Sequence, residues 1–181
     1  MEQLGQVQTP TGHPLFVRQP RLEDAAQFLE LYGTVPVHQI GDVKHALVEE
    51  RARIERHLSD PHAKHGFGLF VLVNEATDEI VGRTGIKHSV APTAGEWEID
   101  YMLRVDYRGQ GIGHTIAAWT MGQVENVWSV DHVLGHVAVD NIPSIRILDR
   151  LGFRRFGEVE LPDFPEMGVL YRYVWQRSES R

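Results

Sequence analysis

The sequence contains no cysteine. That excludes disulfides, thiolate metal sites, a cysteine nucleophile and any acyl-cysteine intermediate. It also lacks a surplus of positive charge. Twenty-five acidic residues against 18 Lys and Arg give a net charge of −7. A broad basic face for nonspecific nucleic-acid binding is therefore excluded, and any anionic ligand must be held by local groups. No apolar run approaches the ~20 residues needed to span a bilayer, so no membrane partner is expected. The first residues, Met1-Glu2-Gln3-Leu4-Gly5, carry neither the basic segment nor the apolar stretch of a signal peptide. Together these absences make a cytoplasmic location the expectation. No repeat, low-complexity tract or linker breaks the 181 residues. One domain over 1–181 is expected, with 1–13 a polar, flexible leader and 176–181 a polar tail.

What is present is a glycine-rich turn, Arg108-Gly109-Gln110-Gly111-Ile112-Gly113. It follows the apolar run 97–105 and precedes a helical pattern over 112–128. Glycines let a backbone adopt φ > 0 and approach an oxyanion closely. The first turn of the helix offers unbonded N–H groups and partial positive charge. A strand, such a turn and a helix can cradle a diphosphate, with Arg104 and Arg108 as nearby cations. The spacing by itself is also compatible with a tight turn that binds nothing. It is not a phosphate-binding P-loop, because no Lys-Ser/Thr follows. It is not a dinucleotide fingerprint either, because the third glycine falls too early.

Hydrophobic periodicity gives the remaining elements. A short strand at 15–18 precedes a helix over 22–32 that stops at Gly33. A loop at 34–41 leads to a second helix, capped by Asp42 and ended by Asp60-Pro61. Strands at 67–73, 80–90 and 97–105 form a meander. After the crossover helix, a strand at 133–139 lies parallel to 97–105. A helix over 143–151, a strand at 153–159, a loop at 161–165 and a strand at 167–175 complete the chain. The class is α+β, with a mixed sheet and helices on both faces.

Arg-x-x-Gly-x-Gly directly after a strand, Asn141-Ile142-Pro143-Ser144, Leu151-Gly152-Phe153 and this element order together resemble the GNAT superfamily of N-acetyltransferases. The resemblance spans nearly the whole chain. Asn-x-x-Ser is similar to the branch acting on ribosomal-protein N-termini, some of whose relatives act on small molecules. It implies a seven-stranded, mostly antiparallel sheet whose one parallel pair, 97–105 and 133–139, splays apart. It implies acetyl-CoA as cosubstrate, a primary amine as acceptor, and direct transfer in a ternary complex. By the same resemblance, the N–H groups of Gln110, Gly111, Ile112, Gly113 and His114 hold the diphosphate, with Arg108 and Gly109 in the same cofactor-binding turn. The main chain of Met102, Leu103 and Arg104 pairs with pantetheine, and an N–H near Met102 or Leu103 faces the thioester oxygen. Asn141 bonds pantetheine or caps a helix. Ser144 protonates the departing thiolate, since Leu148 stands where many members carry a tyrosine. A homodimer is a family-level expectation only.

Proton removal from the amine needs a base. Glu98 alternates with Ile99 on a central strand, where a carboxylate must find a partner or a cavity. His136 titrates near neutrality when unshifted. Glu98, His136, Asp100, Glu158 or no dedicated base remain open, and His136 is alternatively a core histidine bonded to a carbonyl. The histidine pairs 62/65 and 132/136 lack further ligands, so no metal is expected. An acyl-CoA-binding module without catalysis is the competing class.

Overall fold

The computed structural model describes residues 5–10, 12, 14–33, 47–89, 96–161 and 165–177. Eight strands form one sheet: β1 (Gly5–Gln8), β2 (Pro14–Arg18), β3 (Leu69–Asn74), β4 (Glu79–His88), β5 (Trp97–Leu103), β6 (His132–Ala138), β7 (Arg154–Glu160) and β8 (Val169–Gln176). Their spatial order is β1-β2-β3-β4-β5-β6-β8-β7. The described helices are α1 (Ala25–Gly33), α2 (Leu47–His57), α3 (Ile112–Asn126) and α4 (Ile142–Arg150).

The extra strand comes from the leader. Gly5–Gln8 pairs antiparallel with β2, and Val7 is buried. One alternating apolar residue is too little to mark a strand in sequence. The second correction concerns Asp60-Pro61, expected to end the second helix. The chain instead widens into a π-helical turn, Leu58–His65, whose i→i+5 pattern releases Pro61 from the bond an α-helix would demand. Asp42 and the 34–41 loop lie outside the described residues, as does most of the 161–165 loop.

Two apolar layers sandwich the sheet. Ala25, Phe28 and Leu31 of α1 and Ile54 of α2 pack on Val71, Val73 and Ile80. On the other face Ile112, Ile116, Met121 and Val124 of α3 and Leu148 of α4 pack on Leu72, Ile99, Leu103, Val133 and Val137. Trp128 joins this second core, stacking near Phe67 and Phe70. In β4, Gly85 sits at φ 144°, and a Cβ there would collide with the carbonyl of Gly68. That close approach lets Ile86 N–H donate to Gly68 at 3.1 Å.

The β5–β6 pair is the only parallel one among the described strands, and it is held by a single register pair, Glu98↔Leu134. Both strands run on beyond it without pairing. β6 turns instead to β8 along its whole length. With no further rung between them, the upper halves of β5 and β6 leave a gap, in line with the splay that the resemblance implies.

Candidate active site

The glycine turn lies at the top of this gap. A short 3-10 turn, Val105–Tyr107, leads out of β5. Gly109 and Gly111 then take φ of 74° and 79°, left-handed values that favour glycine. Gly111 is the N-cap of α3. The first intrahelical bond runs from Thr115 N–H to Gly111 O at 3.2 Å, so the N–H groups of Ile112, Gly113 and His114 point out of the helix end. Gln110 braces the turn by donating to Asp106 O at 2.9 Å. Such a cradle suits a diphosphate.

The cations differ from expectation. The Arg104 guanidinium pairs with Asp106 at 3.0 Å and Glu79 at 3.5 Å. It is already answered by two carboxylates and is not a spare charge for an anion. Arg108 donates from Nε to Leu103 O at 2.9 Å, and partial burial lowers its pKa.

The main-chain expectation also narrows. Arg104 N–H donates to Val81 O at 2.9 Å, so it belongs to the β4 ladder and cannot pair with pantetheine. Main-chain groups alternate sides along an antiparallel strand. Met102, opposite Arg83 in the same unbroken register, therefore also points into β4. Tyr101 and Leu103 point to the other edge, into the gap. The Leu103 carbonyl is met by Arg108, and its N–H faces the opening.

Below the opening, Glu98 and His136 meet. Nδ1 of His136 lies 3.1 Å from Oε2 of Glu98, with both side chains almost fully buried. The approach is not along an N–H direction, and neither ring nitrogen has an aligned partner among the described residues. His136 is therefore not the carbonyl-bonded core histidine. Glu98 also accepts from Ser89 Oγ at 3.0 Å. Burial pushes the Glu98 carboxyl up, but Lys87, then His136 and Ser89, pull it down further, so it stays ionised.

Asp100, the next residue on that face, binds Arg83 through both oxygens at 2.8 and 3.0 Å and Lys87 at 3.1 Å. Burial acts to raise its pKa, and Arg83 and Lys87 together hold it far below the carboxylate range. A carboxylate held that firmly is a poor base. Beside it, His57 is lowered to about 4 by burial and by Arg83, with Lys87 and Arg53 acting the same way against Asp100. Glu158 stands exposed on edge strand β7, paired with Arg155 at 2.8 Å, away from the gap.

On the opposite face, Asn141 caps α4 by accepting Ser144 N–H at 3.3 Å. This is the capping role; its amide group remains as a donor. Ser144 is half-buried. The Tyr101 hydroxyl donates to the Ser144 carbonyl at 3.4 Å, and burial, foremost, raises its pKa to about 12. This phenol beside Ser144 is a neighbour that motif reading misses, because only the fold joins positions 101 and 144. Leu148 is buried and fills the space above Gly135 of β6. Among the described residues no three His, Asp or Glu side chains gather as a metal site, and no helix is long and apolar enough to cross a membrane.

A mixed sheet with one parallel pair open beyond a single rung, and a glycine-turned helix end at that opening, defines an acyl-CoA N-acyltransferase fold. The chain matches the acetyltransferase (GNAT) domain model over residues 15–154 and belongs to that family. Solved structures agree on the fold. A ribosomal-protein-S5-alanine acetyltransferase from Vibrio fischeri is 18% identical, with TM-score 0.74, covering 92% of this chain and 95% of its own. RimJ from Mycobacterium smegmatis, in complex with CoA-disulfide, is 20% identical with TM-score 0.72, covering 97% and 87%. A chimera of a Vibrio cholerae spermidine N-acetyltransferase is 14% identical with TM-score 0.71, covering 90% and 95%.

Proposed function

We propose that this protein is a cytoplasmic acetyl-CoA-dependent N-acetyltransferase, acting on a primary amine by direct attack in a ternary complex. The observation that carries the reading is the buried Glu98–His136 pair at the level where the β5–β6 ladder stops. The glycine turn supports it from the other end of the gap.

The N–H groups from Gln110 to His114 bind the diphosphate of acetyl-CoA, which supplies a thioester-activated acetyl group. Tyr101 and Leu103 offer the strand edge that aligns pantetheine. Leu103 N–H faces the gap, where an oxyanion donor is needed. Glu98, held ionised, stabilises positive charge on His136, and His136 takes the proton of the attacking amine. Ser144, or the Tyr101 hydroxyl beside it, returns a proton to the sulfur. Relatives named for ribosomal proteins and for spermidine mark protein N-termini and small amines as the acceptor classes to try.

The test is release of free CoA thiol from acetyl-CoA against a panel of amines, with the acetylated product identified by mass. Tight acetyl-CoA binding without turnover on any amine would replace this reading with that of a non-catalytic acyl-CoA-binding module.

A further inference from the structure

We infer that the acceptor carries an anionic group a few bonds from its amine, and that Arg172 receives that anion beside His136. This rests on the N-acetyltransferase reading above and adds the substrate class to it.

His136 of β6 and Arg172 of β8 stand directly opposite each other in register. Their Cβ atoms are then ~5 Å apart, and both side chains leave the same face of the sheet. Three buried side-chain polar atoms among the described residues lack an aligned hydrogen-bond partner: His136 Nδ1, His136 Nε2 and Arg172 Nε. Buried polar atoms are normally answered, and exceptions point to a ligand, a water or a catalytic role. Here the exceptions fall on two facing residues, one of them the proposed base.

The charges around them are polarised. Glu98 lies on one side of His136 at 3.1 Å. Arg172 lies on the other, with one terminal nitrogen 3.2 Å from Glu96 and its Nε unanswered. Glu96 is itself shared with His132 at 3.6 Å. The Arg172 side chain is 22% exposed, so part of it is open to a ligand although its Nε is buried. Its guanidinium carbon sits 5.8 Å from the ring of Phe156, an exposed side chain on edge strand β7 that would wall the site. A guanidinium edge matches a carboxylate or phosphate better than any neutral group. An acceptor with its amine toward Glu98 and its anion toward Arg172 answers both ends. A polyamine brings a cation to Arg172 and gains nothing there.

The experiment measures kcat and KM at saturating acetyl-CoA for amino acids, their carboxamides, the matching aminophosphonates and spermidine. Acids or phosphonates should exceed the amides in kcat/KM by about 10-fold or more. Comparing acid with phosphonate distinguishes the two anions. Arg172→Met should raise KM for the acid about 10- to 100-fold, with kcat and the amide's KM nearly unchanged, and Arg172→Lys should restore part of the loss. Amides or spermidine turned over as well as the acids would overturn the inference, as would an equal loss for acid and amide in Arg172→Met. Should that variant not fold, the acid–amide comparison in the unaltered protein decides. If anion-bearing and neutral amines are acetylated alike, only this inference falls. If no amine is acetylated although acetyl-CoA binds, the proposed function falls and this inference with it.

Discussion

Lys87 stands directly opposite Glu98 across the β4–β5 ladder, and its ammonium reaches Oδ2 of Asp100 at 3.1 Å. It thus serves two carboxylates on one face. Burial works against ionising Glu98, and the Lys87 charge is the leading influence that keeps the carboxylate charged. Lys87→Met removes that influence, so Glu98 should bind its proton at higher pH. The acid limb of the pH profile of kcat/KM is expected to move up, with acetyl-CoA affinity little changed. An unmoved limb in a folded variant would leave Lys87 a structural role only.

Asp100 answers two cations, Arg83 and Lys87. Asp100→Asn removes the carboxylate that both cations share in a poorly solvated place and should cost about 3–5 kcal/mol in denaturant unfolding. The sign with pH follows from the depressed carboxyl. Its stabilisation is fully present above the unfolded value near ~4 and is lost as pH falls below it. The unaltered protein should therefore lose stability more steeply below about pH 4 than Asp100→Asn does. Parallel slopes would show that Asp100 is not the group being titrated.

Much of this was legible in the sequence. Apolar periodicity gives the meander, the crossover helix and the layers, because each element buries one face. Gly109 and Gly111 mark the turn because few other residues tolerate its left-handed backbone. What was not legible is what depends on register and distance. No local pattern shows that Lys87 faces Glu98, or that His136 faces Arg172. Arg104 looked like a spare cation until the fold brought Glu79 to it. Tyr101 and Ser144, 43 positions apart, belong to different motifs and meet only because α4 folds back over β5. The short strand Gly5–Gln8 gains its stability from β2, not from its own composition.

Gly111 tests the diphosphate cradle. Its φ of 79° costs a β-branched residue about 1–2 kcal/mol, and a Cβ would lie 3.2 Å from Cγ of Pro10. Gly111→Val would push side-chain atoms into the helix end and turn its N–H groups aside. Acetyl-CoA binding by calorimetry is expected to be lost while the circular dichroism spectrum stays native. Retained affinity in a folded variant would remove the turn from cofactor binding.

Ser144 and Tyr101 place two hydroxyls at one helix end, and the thiolate needs one proton. A phenol raised to about 12 stays protonated throughout the working range, so it is always able to donate. A serine hydroxyl is protonated too, and whichever group donates must regain a proton from solvent before the next turnover. The two substitutions separate these roles. If Ser144 is the donor, Ser144→Ala should lower kcat by about 10²–10⁴-fold, the span of general acid–base contributions, with little change in acetyl-CoA affinity, and Tyr101→Phe should act mildly. The reverse ranking would move the role to Tyr101, with its loss appearing in kcat at every pH at which the phenol stays protonated. Near-normal turnover in both single variants and in the double variant would mean that a water molecule protonates the sulfur.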